Sequence, residues 1–208
     1  MQTKSEKLFE AFLTANDVPF EKIKEDTTPR PDYLVSIGDL KVVLELKELT
    51  EDERFGVVAD PAYPQIKSNS RTVGDHVRRR IEGSKKQIQY GAKQGIPSVL
   101  LIYNNLDPLQ MFGTTDLDFK TAMYGELTVL VNKSTREASE SFNGDNQLLQ
   151  KNKNTSFSAV GRLYDFGGEI TVMLFENVFS VVKLPYELLP PCFRAKRVNI
   201  SNEPLIVP

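Results

Sequence analysis

The sequence has one cysteine, one histidine and no long hydrophobic run, and each shortage excludes a class of protein. Cys192 is the only cysteine in 208 residues, so an internal disulfide framework and a cysteine-cluster zinc site are both excluded, as is usual in a reducing compartment. His76 alone cannot build a histidine-based triad or zinc site. No apolar stretch reaches the roughly 18 residues of a membrane helix, and residues 1–6 lack the apolar run of a signal peptide. We therefore expect a cytoplasmic protein with no membrane partner.

The chain also lacks an excess of charge of either sign. Its 26 lysines and arginines and 28 aspartates and glutamates give a formal net charge of -2, so the field of the whole protein does not attract nucleic acid. Any phosphate binding must therefore be local. Cations do cluster in residues 78–80 and 85–86, and again in residues 194–197. Such clusters are more often solvated faces than binding sites, and alone they decide nothing.

What the sequence does have is the composition of a folded protein, with 40% hydrophobic and 26% charged residues. Its length suits one domain, residues 1–208, with a sizeable core. Helical spacing of apolar residues predicts helices over residues 5–16, 75–94 and 116–124. Alternating or continuous apolar runs predict strands over residues 32–37, 41–49, 98–103, 126–131, 155–164, 169–175 and 179–183. The polar residues 50–74 predict a long loop.

A two-residue Gly-Asp turn at residues 38–39 defines the pairing of the first predicted hairpin. If Ile37 lies opposite Leu40, counting outward along both strands places Asp32 opposite Glu45. Directly opposed side chains have β-carbons about 4.5 to 5.5 Å apart, and like charges placed there are destabilising. The hairpin therefore predicts an acidic pair that needs compensation.

Lys47 is expected on the same face as Glu45, because side chains alternate along a strand. A hard divalent cation would compensate the two carboxylates, since Mg²⁺ prefers one or two carboxylates together with water and phosphate oxygens. Such a cation polarises a phosphoryl oxygen and acidifies a bound water, while a lysine stabilises the developing charge. The alternative is an ordinary solvated hairpin face in which Lys47 neutralises one carboxylate. Spacing alone does not separate these interpretations.

The residues PD at 31–32, a turn, and ELK at 45–47 after an apolar strand resemble the PD-(D/E)XK signature of restriction endonucleases, Holliday junction resolvases and related nucleases. The resemblance covers residues 3–104, in which a helix, the motif hairpin, a crossover helix and a further strand follow the order of the family core. It implies an α/β fold with a restriction endonuclease-like core, in which helices flank a mixed central sheet. A β-rich C-terminal half, residues 124–190, is expected to pack on that core as an extension.

The same resemblance implies a role for each residue of the motif. Asp32, Glu45 and the backbone carbonyl of Leu46 would hold Mg²⁺ or Mn²⁺, and Lys47 would assist the attacking water. The implied activity is a nuclease that hydrolyses phosphodiester bonds, with DNA as the expected substrate. Many nucleases of this superfamily pair to cut two strands, so a homodimer is compatible with the prediction.

Residues outside the motif complete the predicted site. Many members add an acidic residue from the first helix, and Glu6 borders the apolar stripe whereas Glu10 points further towards solvent. A capping box between Thr3 and Glu6 is an equally good account of Glu6. Some branches place a glutamine on the crossover helix near the site, and Gln87 is the candidate here.

Cations on that crossover helix are candidates for nucleic-acid binding. Arg80 lies on the same flank as Gln87, and Arg78 and Lys85 lie on the other flank. There they would position a phosphate backbone without reading bases. An amphipathic helix with solvated charges explains each of them equally well.

Two other functions stay open at the level of the sequence. The first is a catalytically inactive nuclease-like fold that acts as a nucleic-acid-binding or protein-interaction module. The second is a dimer or partner surface in the β-rich half, although apolar residues of this kind are more often core. The residues that would form this surface are Val172, Leu174, Phe175, Phe179 and Val181.

Overall fold

The computed structural model describes residues 2–24, 28–50, 71–106, 109–110 and 112–198, together with the backbone pairing of residues 58–59 and 67–68. The helices in this part of the chain are α1 (Lys4–Ala15), α2 (Asp75–Gly83), α3 (Lys85–Ala92) and α4 (Asp116–Tyr124), with a 3₁₀ turn at Tyr186–Leu188. The strands are β1 (Phe20–Lys22), β2 (Tyr33–Ile37), β3 (Leu40–Leu49), β4 (Val58–Ala59), β5 (Lys67–Ser68), β6 (Ser98–Asn104), β7 (Leu127–Thr128), β8 (Phe142–Asn143), β9 (Ala159–Phe166), β10 (Glu169–Glu176) and β11 (Phe193–Lys196).

Seven strands form one mixed sheet in the order β1-β2-β3-β6-β9-β10-β11. The pairs β1-β2, β2-β3 and β9-β10 are antiparallel, whereas β3-β6, β6-β9 and β10-β11 are parallel. Every residue of the central strand β6 is buried, as expected of a strand covered on both faces. The fold is thus mixed α/β, with a central sheet flanked by helices.

Each face of the sheet has its own hydrophobic layer. Helix α1 contributes Phe9 and Leu13 to one layer, where they pack with Tyr33 of β2 and neighbouring strand residues. Helices α2, α3 and α4 cover the other face, where Ile81 and Ile88 are fully buried. Within the described segments, no helix has both the length and the apolar character needed to cross a membrane.

The predicted helix over residues 75–94 is divided into α2 and α3 at Ser84. The backbone there has φ -103° and ψ 3°, which departs from helical values. Gly83 and Ser84 are both poor helix formers, and glycine is the poorer of the two. The apolar stripe nevertheless continues across the break, because Val77, Ile81 and Ile88 are all fully buried.

Two predicted strands are wrong or much shorter than expected. In the segment 126–131 only β7 forms, and it pairs with β8 outside the main sheet, while the side chains of residues 129–131 are exposed. The segment 179–183 is not a strand, because Asn177 organises turns there by donating to the Phe157 carbonyl and accepting from the Phe179 N–H.

The β-rich half is continuous with the first half rather than packed on it as an extension, because β9 and β10 extend the main sheet directly from β6. Val172, Leu174 and Phe175 are core residues of this sheet, which removes them from the predicted partner surface. Short strands β1 and β11 lie at its two edges and were not predicted. Most of the predicted loop 50–74 lies outside the described residues; within it, β4 and β5 pair antiparallel.

Candidate active site

The β2-β3 hairpin brings Asp32 and Glu45 to the same cavity, and its ladder follows the predicted register as far as Tyr33. Ile37 pairs with Leu40 across the turn, and the ladder runs back to Tyr33 opposite Leu44. The next residue outward is Asp32, whose N–H donates to the Leu44 carbonyl at 3.0 Å. Leu44 is already the partner of Tyr33, so the ladder departs from the predicted register at Asp32, as at a β-bulge, and Asp32 is not the direct cross-strand partner of Glu45.

Asp32 also closes the open end of the hairpin through its side chain. Asp32 precedes the first residue of β2, and its Oδ2 accepts a hydrogen bond from the Leu46 N–H at 2.7 Å. In an antiparallel strand, the N–H and the carbonyl of one residue point to the same side. The carbonyl of Leu46 therefore faces the side of β3 on which Asp32 lies. A carboxylate oxygen of Asp32 and the carbonyl oxygen of Leu46 therefore lie on the same side of β3.

Glu45 is the most buried charge of the site. Its residue is 1% exposed, and Oε1 contacts the Lys47 Nζ at 2.6 Å. The other oxygen, Oε2, is buried and has no hydrogen-bond partner among the described residues. Buried carboxylate oxygens are normally satisfied, so this oxygen is open to a further partner, either a cation or a proton shared with Asp32.

Burial and the nearby negative charge both make the ionised form of the two carboxyls less stable. Burial raises the pKa of Glu45, the negative charge of Asp32 raises it further, and the Lys47 ammonium only partly offsets both, so the pKa is about 7. Burial likewise raises the pKa of Asp32, against the opposing effects of the Leu46 N–H and the Lys47 charge. Two carboxyls held in this way bind a cation readily, and they lose their protons when the cation binds.

A cavity of about 250 Å³ opens over this face of the hairpin. We call it the Glu45 pocket; it is lined by residues 23–24 and 28–31 and by Asp32, Glu45, Lys47 and Gln87. Helix α3 supplies Gln87, so the crossover helix reaches the acidic pair as predicted. The structure thus gathers four of the predicted site residues around one cavity.

A second cavity, of about 330 Å³, lies on the α1 side of Asp32. We call it the Glu6 hollow; it is lined by Gln2, Thr3, Ser5, Glu6, Lys22, Asp32, Leu46 and Glu48. Among the residues that the structure describes, Asp32 is the one that lines both cavities.

Glu6 forms the capping box that the sequence allowed, and it also lines the cavity beside Asp32. It forms the capping box with Thr3, and its Oε1 accepts a hydrogen bond from the Lys22 Nζ at 2.6 Å beside Asp32. Burial acts to raise the pKa of Glu6, but these hydrogen bonds outweigh it and the pKa is lowered. Glu10 instead accepts from the Tyr33 hydroxyl at 2.7 Å. The first helix therefore brings Glu6, not Glu10, to the site.

Three cations predicted for nucleic-acid binding are not brought to the acidic pair. Arg78 lies on the flank of α2 that packs against α4, and it donates to the backbone carbonyls of residues 73, 121 and 146. Arg80 is partly buried on α2. The Nζ of Lys85 lies 4.0 Å from Oε1 of Glu82. None of the three cations lines the Glu45 pocket or the Glu6 hollow.

Four charged residues that line the two cavities escaped the sequence analysis, and one of them is Lys22 in the Glu6 hollow. Lys24 and Arg30 line the Glu45 pocket from the segment that precedes Asp32. Glu48 lines the Glu6 hollow, where it accepts hydrogen bonds from the Ser5 N–H and the Asn105 amide. Strand alternation could have located Glu48, since it lies two residues after Leu46 on the same face.

The donor set suits a hard divalent cation. Across the described residues, no group of three or more His, Cys, Asp or Glu side chains could hold a metal ion. A cation would therefore use the two carboxylates of Asp32 and Glu45 with the Leu46 carbonyl. Oxygen ligands in this small number are typical of Mg²⁺, which keeps several of its waters. The unpartnered Oε2 of Glu45 fits the same ligand.

The chain matches no protein-family model, no curated protein and no solved structure. The geometry of the site is therefore the main evidence for the function of the protein.

Proposed function

We propose that this protein is a metal-dependent nuclease of the PD-(D/E)XK type, with a restriction endonuclease-like core, that hydrolyses phosphodiester bonds in DNA. The observation that carries the proposal is the acidic pair of Asp32 and Glu45 beside Lys47, with one buried carboxylate oxygen of Glu45 left without a partner. Apolar residues in the place of a buried charge cluster often give a protein that is as stable or more stable. A structural role alone therefore does not explain why charged residues, rather than apolar ones, occupy these positions.

The order of elements supports the same class. Helix α1, the β2-β3 hairpin, the helices α2 and α3, and strand β6 follow one another, and β6 pairs parallel to β3. This is the arrangement expected of the family core. Because one fold can host many functions, the residues of the site carry more weight than the fold.

The chemistry follows from the positions of the side chains. A bound Mg²⁺ or Mn²⁺ supplies positive charge that polarises the phosphoryl oxygen and acidifies a coordinated water. Asp32, Glu45 and the Leu46 carbonyl would hold that cation, and Glu45 is largely deprotonated above its pKa of about 7. The Lys47 ammonium, 2.6 Å from Oε1 of Glu45, would stabilise the negative charge that develops in the transition state. Gln87 offers both a donor and an acceptor from the wall of the same pocket.

Incubating plasmid, linear duplex and single-stranded DNA with Mg²⁺ or Mn²⁺ tests the proposal. We expect cleavage by the wild type and by Asp39→Asn, which removes an exposed carboxylate in the hairpin turn. Asp32→Asn, Glu45→Gln and Lys47→Ala should each lose about 100-fold or more in rate. Equal activity in every variant means that a contaminant cuts the DNA, and the proposal is then withdrawn. Metal binding that depends on Asp32 without any cleavage favours the inactive binding module instead.

A further inference from the structure

One hairpin stands outside the main sheet and exposes apolar side chains. Strands β7 and β8 pair only with each other in the described part of the chain. We call residues 126–143 the β7-β8 arm. Large apolar side chains that are exposed together in one element indicate an interaction surface, whereas single exposed ones do not. The large apolar side chains that the arm exposes are Leu127, Val129, Leu130, Val131 and Phe142.

The first half of the β7-β8 arm has an open backbone edge. Leu130 and Asn132 form backbone hydrogen bonds with the second half of the arm. In an antiparallel strand the N–H and the carbonyl of one residue point to the same side, and those of the next residue point to the other side. The backbone groups of Leu127, Val129 and Val131 therefore face away from the second half. An exposed apolar edge is a template for pairing with another chain, and a two-stranded hairpin is only marginally stable by itself.

The open edge of the arm is complementary to itself. Antiparallel pairing of two copies about Val129 sets this residue opposite its own equivalent, and it sets Leu127 of one copy opposite Val131 of the other. All three residues direct their N–H and carbonyl groups towards this edge, so the pairing satisfies both edges at once. A shift by one residue would instead set them opposite residues whose backbone groups point the other way.

The charges of the arm favour the same antiparallel arrangement. Glu126 lies at one end of the open edge and Lys133 at the other, so antiparallel pairing places Glu126 of each copy near Lys133 of the other, whereas parallel pairing would bring like charges together. The side chain of Glu126 is 46% exposed, with Arg78 at 3.5 Å. Residues 127–143 carry two basic and two acidic side chains, so they have no net charge that would attract nucleic acid or repel a second arm.

We propose that the β7-β8 arm is a dimerisation surface, on which a second copy of this chain pairs antiparallel through the edge of Leu127, Val129 and Val131. The pairing joins two hairpins into one four-stranded sheet with two-fold symmetry, in which the same surface of both copies forms the contact. An interface of one hairpin per copy belongs to the small class below about 1,200 Å² in total, so the dimer should dissociate on dilution. The inference does not depend on the proposed nuclease activity.

Sedimentation equilibrium of the whole chain from about 1 to about 200 µM, a range that covers weak complexes, tests the inference. We expect the wild type to show a monomer–dimer equilibrium. Val129→Lys and Val129→Glu each place like charges opposite one another across the two-fold axis, and each should weaken the association by about 100-fold. An equimolar mixture of these two variants should associate again, because the opposed charges then have opposite signs.

Val181 provides the matched control, because it is a valine that is 69% exposed outside the arm. Val181→Lys and Val181→Glu should leave the association unchanged, both separately and mixed. Association of the mixed Val129 variants also shows that each of them is folded. A wild type that is monomeric at every concentration overturns the inference, and so does a dimer that survives both Val129 variants or that the Val181 variants weaken equally. A mixture of the two Val129 variants that stays monomeric overturns the pairing about Val129.

Discussion

Replacing Glu45 with glutamine tests whether the acidic pair opposes folding when no metal is bound. The pKa of Glu45 rises from its ordinary 4.5 to about 7 in the folded protein. Between these values the folded chain binds more protons than the unfolded chain, so the free energy of unfolding falls as pH rises from about 4.5 to about 7. At 1.36 kcal/mol for each pH unit, the loss at pH 8 is about 3 kcal/mol.

Glutamine does not ionise, so the variant should keep the stability that the wild type loses. Without metal at pH 8 we expect Glu45→Gln to be about 2 to 3 kcal/mol more stable than the wild type, and the two proteins to converge near pH 4.5. Lys47 loses its partner in the variant, but a pair that is 31% exposed on the lysine side contributes less than about 1 kcal/mol. The raised pKa of Glu45 therefore dominates the difference.

Urea denaturation in a chelator between pH 5 and pH 8 measures this difference, with Asp39→Asn as the exposed carboxylate control. Adding Mn²⁺ at pH 8 should then raise the stability of the wild type and leave Glu45→Gln unchanged, because only the wild type binds the ion. Parallel stability curves for the wild type and Glu45→Gln across this pH range would refute the reasoning.

Three further results are expected. Mn²⁺ affinity measured by calorimetry should fall about tenfold for each pH unit below 7, because metal and proton compete for the same carboxylate, and Asp32→Asn should weaken it at every pH. Asp118→Asn should lower the free energy of unfolding by about 3 to 5 kcal/mol in urea, since this fully buried carboxylate pairs with Arg71 and accepts from backbone N–H groups. Gly91→Ala should destabilise by about 1 to 3 kcal/mol, since a β-carbon there would lie 2.3 Å from a side-chain methyl of β3.

Two further variants are the controls for the predictions on Asp118→Asn and Gly91→Ala. Asp116→Asn removes a carboxylate that is 34% exposed and should change stability by less than about 1 kcal/mol. Gly83→Ala adds a β-carbon that meets no atom within 4 Å and should be neutral or stabilising by up to about 1 kcal/mol. Equal effects of Asp118→Asn and Asp116→Asn, or of Gly91→Ala and Gly83→Ala, would contradict the argument from burial and packing. An Mn²⁺ affinity that does not change with pH would contradict the argument that metal and proton compete for the same carboxylate.

Most of the geometry around the acidic pair could be predicted from the sequence because it depends on local rules. A turn at residues 38–39 sets the ladder as far as Tyr33 and Leu44, and alternation along β3 places Glu45 and Lys47 on the same face. The shift of one residue at Asp32 could not be predicted from these rules. Helix α4 was predicted at its observed bounds for a similar reason, since its first turn is capped locally by Thr115 and Asp118.

Other features depend on distant parts of the chain and left no local signal. Strand β11 has only four residues and is exposed beyond Phe193, so only its parallel pairing with β10 defines it. Arg78 was in a conspicuous cation cluster, but its hydrogen bonds go to carbonyls that lie far along the sequence. Lys24 and Arg30 lie in a segment without periodicity, so only the folded structure shows that they line the Glu45 pocket.

The position of β6 between β3 and β9 has a consequence for how this protein can be divided. A fragment that ended at residue 104 would contain both residues of the acidic pair, but it would leave one side of a wholly buried, largely apolar strand without its parallel neighbour. Unpaired apolar edges of this kind drive aggregation. Truncation or grafting experiments should therefore transfer the whole seven-stranded sheet, because the chemistry of the first hundred residues is inseparable from strands encoded after residue 158.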